Sequence, residues 1–206
     1  MESSREFPSL LEEVALPGSV PELPPITEDE LLESLRRGEA PAFERLYATQ
    51  AGRMKSIAFN LLGSVSDAED AVQESFLKVH RGAGAFRAGA RLSTWLYRIL
   101  LNTCYDTMRR RRRRPETEGK AAADDARLDV PAPGTDHPLR LELEDSLSRL
   151  PERLRTVFLL SAVEGLTHRE IGEVLEIPEA TSRTLLFDAR RELQSLLWRG
   201  RGRSLT

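Results

Sequence analysis

Residues 167–190, THREIGEVLEIPEATSRTLLFDAR, decide how the C-terminal part of the chain folds. Thr167 with Glu170 three residues later is a capping-box signature, in which a hydroxyl and a carboxylate each accept a backbone N–H at a helix start. Apolar residues then recur at helical spacing. Residues 176–178 predict a tight turn, and a second helix is expected from about Glu179.

A short helix, a turn of about three residues and a second helix form the arrangement that reads duplex DNA in the major groove. The second helix must then present polar or basic residues at its N-terminal end. The sequence supplies them there and, in one case, further along: Thr181, Ser182, Arg183, Thr184 and Arg190. An ordinary helical hairpin is the alternative that the pattern alone leaves open.

Upstream, helical spacing is visible from Thr27 onward, and it predicts a helical block over residues 27–114. Thr27 with Glu30 is another capping box. Pro41 opens a second helix, and Gly63 is predicted to end it.

A third helix is predicted to begin at Ser66, with Glu69 completing its capping box. Residues 82–91 contain three glycines and predict a loop. Ser93 is predicted to cap a fourth helix, which ends in the uninterrupted arginine run at 109–114.

Charge and proline content divide the chain. Residues 1–26 hold five prolines and carry net charge −4, which is typical of a disordered arm; residues 27–114 carry +5. Residues 115–137 again carry −4 and have linker composition, and residues 138–198 return to helical spacing before a basic tail at 199–206. The predicted fold is all-α, with two small helical domains joined by a flexible acidic linker.

Several functional classes are disfavoured. No stretch approaches the roughly 20 apolar residues that span a bilayer, and no secretory signal is visible at the N-terminus. Cys104 is the only cysteine, which excludes an intrachain disulfide and fits a cytoplasmic protein. The scattered histidines and the absence of a phosphate-loop motif predict no metal, no cofactor and no enzymatic activity.

Three features of residues 27–114 are candidate binding elements. The arginine run suits a helix C-terminus because of the helix dipole, and a phosphate backbone would favour it further. Trp95 and Tyr97 precede it and could stack on unpaired bases, although a helical tryptophan is more often core. A polar cluster could bind a basic partner or simply complement the helix dipole: Asp67, Glu69, Asp70, Gln73 and Glu74.

Together, these residues resemble the sigma-70 family in its small extracytoplasmic-function (ECF) group. DAEDAVQESF at 67–76 resembles region 2.2, and STWLYRI at 93–99, with Asn102 and the arginine run, resembles regions 2.3 and 2.4. LPER at 150–153, EGLT at 164–167 and EIG at 170–172 resemble region 4. The order and spacing of these segments are more specific than any one of them.

The resemblance implies a function for two segments within residues 27–114. The helix at 67–81 would dock on the β′ clamp helices of core RNA polymerase through Asp67, Glu69, Asp70, Gln73 and Glu74. The segment at 82–114 would melt the −10 element and capture an unpaired base. Its contacts would be Arg87, Arg91, Trp95, Tyr97, Arg98, Asn102, Arg109 and Arg110.

The resemblance also implies that the linker threads the polymerase channel and that the C-terminal domain sits on the β subunit and reads the −35 element. The −35 contacts would be Thr181, Ser182, Arg183, Thr184 and Arg190. Such proteins are commonly held inactive by an anti-sigma factor, and act as monomers on polymerase.

The recognition helix departs from the family pattern, because Leu185 and Asp188 stand where arginines are usual. A carboxylate faces phosphate with the wrong sign, so we expect a modest −35 contact. Two other functions compete with a working sigma factor. One is a sigma mimic that titrates an anti-sigma factor, and the other is a stand-alone helix–turn–helix regulator that binds duplex DNA as a dimer.

Overall fold

The computed structural model describes residues 26–86, 91–113 and 137–203, and in the last range it describes the side chains of 142–199. These ranges contain eight α-helices and no strand, which confirms the all-α prediction. The helices are α1 (Glu28–Arg36), α2 (Ala40–Leu62), α3 (Val65–Gly82), α4 (Leu92–Arg113), α5 (His137–Arg149), α6 (Glu152–Phe158), α7 (His168–Leu175) and α8 (Glu179–Arg203). We call residues 26–113 the N-terminal block and 137–203 the C-terminal block. The arm at 1–25, most of the predicted linker and Arg87 lie outside the described residues.

Two of the predicted helix starts are confirmed in detail. The Oγ1 of Thr27 accepts a hydrogen bond from the N–H of Glu30 at 3.2 Å, and the Glu30 carboxylate accepts one from the N–H of Thr27 at 2.8 Å. Thr167 and Glu170 form the same reciprocal pair at the start of α7. Gly63 ends α2 with φ 69°, a left-handed conformation that glycine adopts without strain.

Two other predicted starts are wrong. Helix α3 begins at Val65 because Ser64, not Ser66, is extended and accepts the N–H of Asp67 at 3.3 Å. Helix α4 begins at Leu92 rather than after Ser93. The N–H of Leu92 donates instead to the carboxylate of Glu28 at 2.6 Å, so a side chain from α1 caps α4 from another part of the chain.

The far end of the chain also differs from the prediction. Helix α8 was expected to end at about Leu197 but continues to Arg203, so that part of the predicted basic tail is helical. The connection between α6 and α7 contains a π-helical turn, Leu159–Val163, which no sequence pattern indicated. Glu164 follows this turn directly and faces the N-terminal block.

One of the apolar clusters is shared by the two blocks. Leu35 and Leu46 lie in a cluster confined to the N-terminal block. A larger cluster contains Leu100 of α4 together with Leu160 and Ile171 of the C-terminal block. The helix–turn–helix therefore packs directly against the helix that carries the predicted −10 contacts.

The turn between α7 and α8 predicts a stabilising substitution. Glu176 is the non-glycine residue with positive φ (55°) among the described residues, and its N–H donates to the carbonyl of Gly172. Glu176→Gly is expected to raise the free energy of unfolding by about 1 kcal/mol, because glycine adopts this conformation without a steric cost. Urea denaturation measures the change. Glu173→Gly inside α7 should lower stability by about as much, and a loss in both variants would contradict the prediction.

Candidate functional site

Three of the five residues predicted to contact polymerase are engaged within the molecule, and two of them are Asp67 and Glu69. The carboxylate of Asp67 forms an ion pair with Arg111 of α4, and Arg111 also donates to the carbonyl of Leu62 at 2.9 Å. Glu69 pairs with Lys55 of α2 at 2.5 Å. Both carboxylates therefore hold α3 against its neighbours.

Glu74 is engaged in the same way. Its carboxylate lies 2.9 Å from Lys78 Nζ and 3.5 Å from an Arg110 guanidinium nitrogen. The hydrogen bond from Lys78 lowers the pKa of Glu74 below its usual range, so this carboxylate stays charged at neutral pH.

The remaining polar residues of α3 face solvent. Asp70 and Gln73 are exposed, and neither has a side-chain partner among the described residues. Leu77 lies on the same side of the helix and is 40% exposed. We call Asp70, Gln73 and Leu77 the α3 stripe. The sequence did not single out Leu77, because its spacing fits a core residue equally well.

Four of the predicted −10 contacts are aligned along α4 and the residue before it. Arg91, Arg98, Asn102 and Arg109 lie seven, four and seven residues apart, which aligns them along the helix. We call these four residues the α4 face. Asn102 and Arg109 are exposed, whereas Arg98 is half-buried.

The two aromatic candidates on α4 are less accessible. Trp95 is half-buried and packs on Phe86, with ring centroids 4.8 Å apart. Tyr97 is 3% exposed, and its hydroxyl donates to the carboxylate of Glu164 in the C-terminal block. Burial raises the pKa of Tyr97 above its usual range, and the Glu164 hydrogen bond adds to this, so the phenol stays protonated.

The C-terminal block contacts the first half of the α4 face, where the side chains of Arg91 and Arg98 stay 71% and 42% exposed. Arg91 lies 2.8 Å from the carboxylate of Glu170. Arg98 donates to the backbone carbonyl of Glu173 and lies 3.7 Å from the carboxylate of Glu176. These contacts join two regions that the sequence predicts to act separately on DNA.

Only three of the five predicted −35 contacts on α8 are exposed. Ser182 is fully buried, and its hydroxyl lies 3.1 Å from Nδ1 of His168, which fixes α8 against α7. Thr181 is half-buried. Arg183, Thr184 and Arg190 are exposed.

Three further residues of α8 determine which side chains the helix exposes: Leu185, Phe187 and Asp188. Phe187 lies on its outer side and is 66% exposed, and no sequence pattern indicated it as a contact. Asp188 pairs with Arg191 at 3.2 Å. Leu185 is half-buried against the cluster shared by both blocks, and it lines a groove together with Tyr105 of α4.

Within the described residues, no three His, Cys, Asp or Glu side chains are grouped so that they could hold a metal ion. In the same part of the chain, none of the helices combines the length and apolar character needed to cross a membrane.

The comparisons with known proteins define the class first. The model of Sigma-70 region 2 matches residues 46–114, and that of Sigma-70, region 4 matches residues 140–193. The ECF RNA polymerase sigma-E factor of Haemophilus influenzae is 33% identical over 183 residues, which cover 82% of this chain and 95% of that protein. The chain belongs to the sigma-70 family and, within it, to the ECF RNA polymerase sigma factors.

Solved structures agree on the fold. CnrH, in complex with the cytosolic domain of CnrY, matches with a TM-score of 0.63 at 23% identity, covering 82% of this chain and 96% of that one. The sigma factor RpoE of Bartonella quintana, in complex with the anti-sigma factor NepR, matches with a TM-score of 0.59 at 23% identity, covering 75% and 96%.

Proposed function

We propose that this ECF sigma factor directs core RNA polymerase to specific promoters, with α3 binding the polymerase, α4 reading the −10 element and α8 reading the −35 element. The observation that carries the proposal is the α4 face, a line of arginine and asparagine side chains on the helix that ends in the arginine run. A separate helix–turn–helix stands in the C-terminal block of the same chain. A protein that only represses transcription from duplex DNA needs no such second region.

The α3 stripe is the polymerase-binding surface in this proposal. Asp70, Gln73 and Leu77 combine an acidic, a polar and an apolar side chain that are open to a partner, the composition of a compact contact patch. Asp67, Glu69 and Glu74 are positioning residues, because their ion pairs fix α3 to α2 and α4. The β′ subunit is the proposed partner, as the family resemblance implies.

The −10 element would be bound by α4 and the segment before it. Arg91, Arg98, Arg109 and Arg110 supply positive charge for the phosphates, and Asn102 supplies an amide that can hydrogen-bond a base edge. Trp95 and Tyr97 would stack on a base taken out of the duplex. Arg87, before this helix, is proposed as a further contact.

The −35 element would be read by the exposed end of α8. Arg183, Thr184 and Arg190 reach solvent, with Thr181 beside them. Ser182 supports the helix–turn–helix from inside through His168. The contact is modest, because Leu185 packs inward and Asp188 adds a negative charge.

The proposal extends to the setting in which the protein acts. It is a cytoplasmic, non-enzymatic subunit that works as a monomer on polymerase, with the acidic residues 115–137 linking a region 2 domain to a region 4 domain. An anti-sigma factor is the proposed negative regulator. The fold match to the sigma factor RpoE, whose structure was solved in complex with the anti-sigma factor NepR, supports this partner class.

Run-off transcription tests the function directly. Purified protein and core RNA polymerase are combined with genomic DNA, and the 5′ ends of the transcripts are sequenced. Discrete start sites that share an upstream motif are the expected result. Core binding without specific transcripts would overturn the proposal in favour of a sigma mimic. Tight duplex binding as a dimer without polymerase would favour a stand-alone regulator.

The exposed arginines at the end of α4 predict a change in salt dependence. Arg109→Ala together with Arg110→Ala should lower the slope of log affinity against log salt by about 2 for promoter DNA bound to the holoenzyme, because each phosphate contact contributes about 0.9. Fluorescence anisotropy at several salt concentrations measures the slope. Arg45→Ala with Arg53→Ala on α2 is the matched control, and an equal fall there would contradict a specific phosphate role.

Asp188 predicts a gain of function at the −35 element. Asp188→Arg should raise the affinity of the holoenzyme for −35 duplex DNA about tenfold, because it replaces a charge that repels phosphate with one that attracts it. Competition between promoters with and without a −35 sequence measures the effect. Glu192→Arg makes the same charge change one turn further on, and equal gains in both variants would show non-specific attraction only.

A further inference from the structure

We call Arg91, Tyr97 and Arg98 the −10 reading face, and all three are contacted by glutamate residues of the same chain. Within residues 164–176, four glutamates reach α4 by a side chain or a backbone carbonyl: Glu164, Glu170, Glu173 and Glu176. We call residues 164–176 the glutamate segment. Its groups contact Arg91, Tyr97 and Arg98, three of the side chains that the proposed function assigns to promoter DNA.

We propose that the glutamate segment binds the −10 reading face in place of DNA, so that the free protein is closed to promoters until the two blocks separate. This inference rests on the proposed function, because it takes the α4 face to be the −10 surface. The ligand of that face in the free protein is then an anionic segment of the C-terminal block.

The contacts substitute for those that nucleic acid would make. Arginine guanidinium groups bind carboxylates and phosphates through the same charge-assisted hydrogen bonds. The carboxylate of Glu170 lies 2.8 Å from Arg91, and its pKa is lowered, first by hydrogen bonds from Thr167 and further by Arg91. This carboxylate is therefore ionised at neutral pH and offers Arg91 the negative charge that a phosphate would.

Tyr97 shows most directly that the closed arrangement excludes DNA. A ring that stacks on a base must expose one of its faces, but Tyr97 is 3% exposed. Its ring belongs to the shared core, and its hydroxyl is bonded to Glu164. In this arrangement a base cannot reach the ring.

Leu185 gives the recognition helix a part in the closure. At a position where the family usually has arginine, this leucine packs against the shared core and faces the same groove as Tyr105 and Leu175. An arginine here would replace this apolar contact and add a positive charge to a groove that already holds Arg109, Arg112 and Arg153. The substitution that weakens −35 reading thus strengthens the closed state.

The closed arrangement has a specific polar clamp besides its apolar contacts. The guanidinium of Arg155 donates to the carbonyl of Asn60 in α2 at 3.0 Å and to the carbonyls of Ser148 and Leu150 in the C-terminal block. Tyr105 of α4 and Thr156 of α6 are joined by a hydrogen bond of 3.0 Å. Directional bonds of this kind favour one docking geometry over a loose association.

A reversible cross-link tests the proposal on the full-length protein. Asn60 and Ser148 lie on opposite sides of the contact, both bonded to Arg155, and neither belongs to the proposed binding surfaces. Asn60→Cys with Ser148→Cys is joined by a short bismaleimide whose spacer contains a disulfide. The native Cys104 is buried, and burial raises its pKa to about 12, which keeps it out of the reaction.

The cross-linked protein should lose run-off transcription and binding of a fluorescent −10 oligonucleotide, and reduction of the spacer should restore both. Cross-linked protein that transcribes as well as the reduced form would overturn the proposal. The two single-cysteine variants, treated with the same reagent, should remain active. If wild-type protein gives no specific transcripts, the proposed function fails. This result is distinct from one in which wild-type protein transcribes and the cross-linked protein does so equally well.

A second measurement needs neither polymerase nor cross-linking. Glu164→Gln with Glu176→Gln removes two anionic groups from the interface without changing side-chain size. The free variant should bind the −10 oligonucleotide about tenfold more tightly than wild type, since the competing contacts within the chain are weaker. Glu142→Gln with Glu144→Gln on α5 is the matched control for net charge. Unchanged affinity in the first variant, or an equal gain in the control, would overturn the proposal.

Discussion

Leu77→Arg is expected to lower the affinity of the protein for core RNA polymerase by about tenfold or more, which corresponds to the loss of one well-placed interface contact. Leu77 is 40% exposed and lies beside Asp70 and Gln73 in the α3 stripe. An exposed apolar side chain among polar neighbours contributes most when a partner covers it. Burying an arginine there instead would desolvate a charge without a defined acceptor.

The measurement is a titration of labelled protein with core polymerase, followed by fluorescence anisotropy. Ala48→Arg on α2 adds the same charge at another exposed helical position and should leave the affinity unchanged. Both variants should keep the wild-type free energy of unfolding to within about 0.5 kcal/mol, as is usual for surface substitutions. Equal losses in the two variants, or no loss in Leu77→Arg, would remove the α3 stripe as the docking surface.

The sequence predicts local features of this fold well. The capping boxes at Thr27 and Thr167 and the glycine end of α2 depend on residues within one turn of each other, so the chain specifies them locally. The start of α4 could not be predicted in this way. Its cap is Glu28, 64 residues away in sequence, and only the packing of α1 against α4 brings the carboxylate to the N–H of Leu92.

The same distinction applies to the candidate site. The sequence identified the acidic cluster of α3 but could not separate exposed Asp70 from Asp67, because the partner of Asp67 is Arg111 on another helix. It placed Ser182 among the DNA contacts, since its position in α8 suits one, whereas the structure buries its side chain against His168. Pairwise contacts between distant segments decide which members of a motif face outward.

The closed arrangement is the largest feature that the sequence did not indicate. Composition and charge predict two helical domains with an acidic linker, and nothing in a linear pattern shows that two such domains pack together. The shared core requires Leu100, Leu160 and Ile171 to be complementary in shape, a property of assembled surfaces. Glu164 likewise gains its position from the π-helical turn before it.

Gly172→Val is expected to destabilise the helix–turn–helix by about 3 kcal/mol, at the upper end of what overpacking usually costs. A Cβ at Gly172 would lie 2.7 Å from the carbonyl oxygen of Ile177. That oxygen belongs to the backbone of the turn, which cannot move aside as a flexible side chain could. The carbonyl of Gly172 also accepts the N–H groups of Glu176 and Ile177, so a shift of the turn would strain these bonds as well.

Gly52→Val is the matched control, because Gly52 is an exposed helical glycine of α2 whose added Cβ would meet nothing within 4 Å. Its stability should change by less than about 0.5 kcal/mol, since valine replaces glycine at a modest gain in helix propensity. Urea denaturation followed by circular dichroism measures both variants. Since the distorted turn carries the glutamate segment into α8, Gly172→Val should also weaken closure of the α4 face. The variant is therefore expected to lose −35 binding while its free form gains affinity for a −10 oligonucleotide. If it lost −35 binding without that gain, the turn would matter to the recognition helix alone and not to the contact between the blocks.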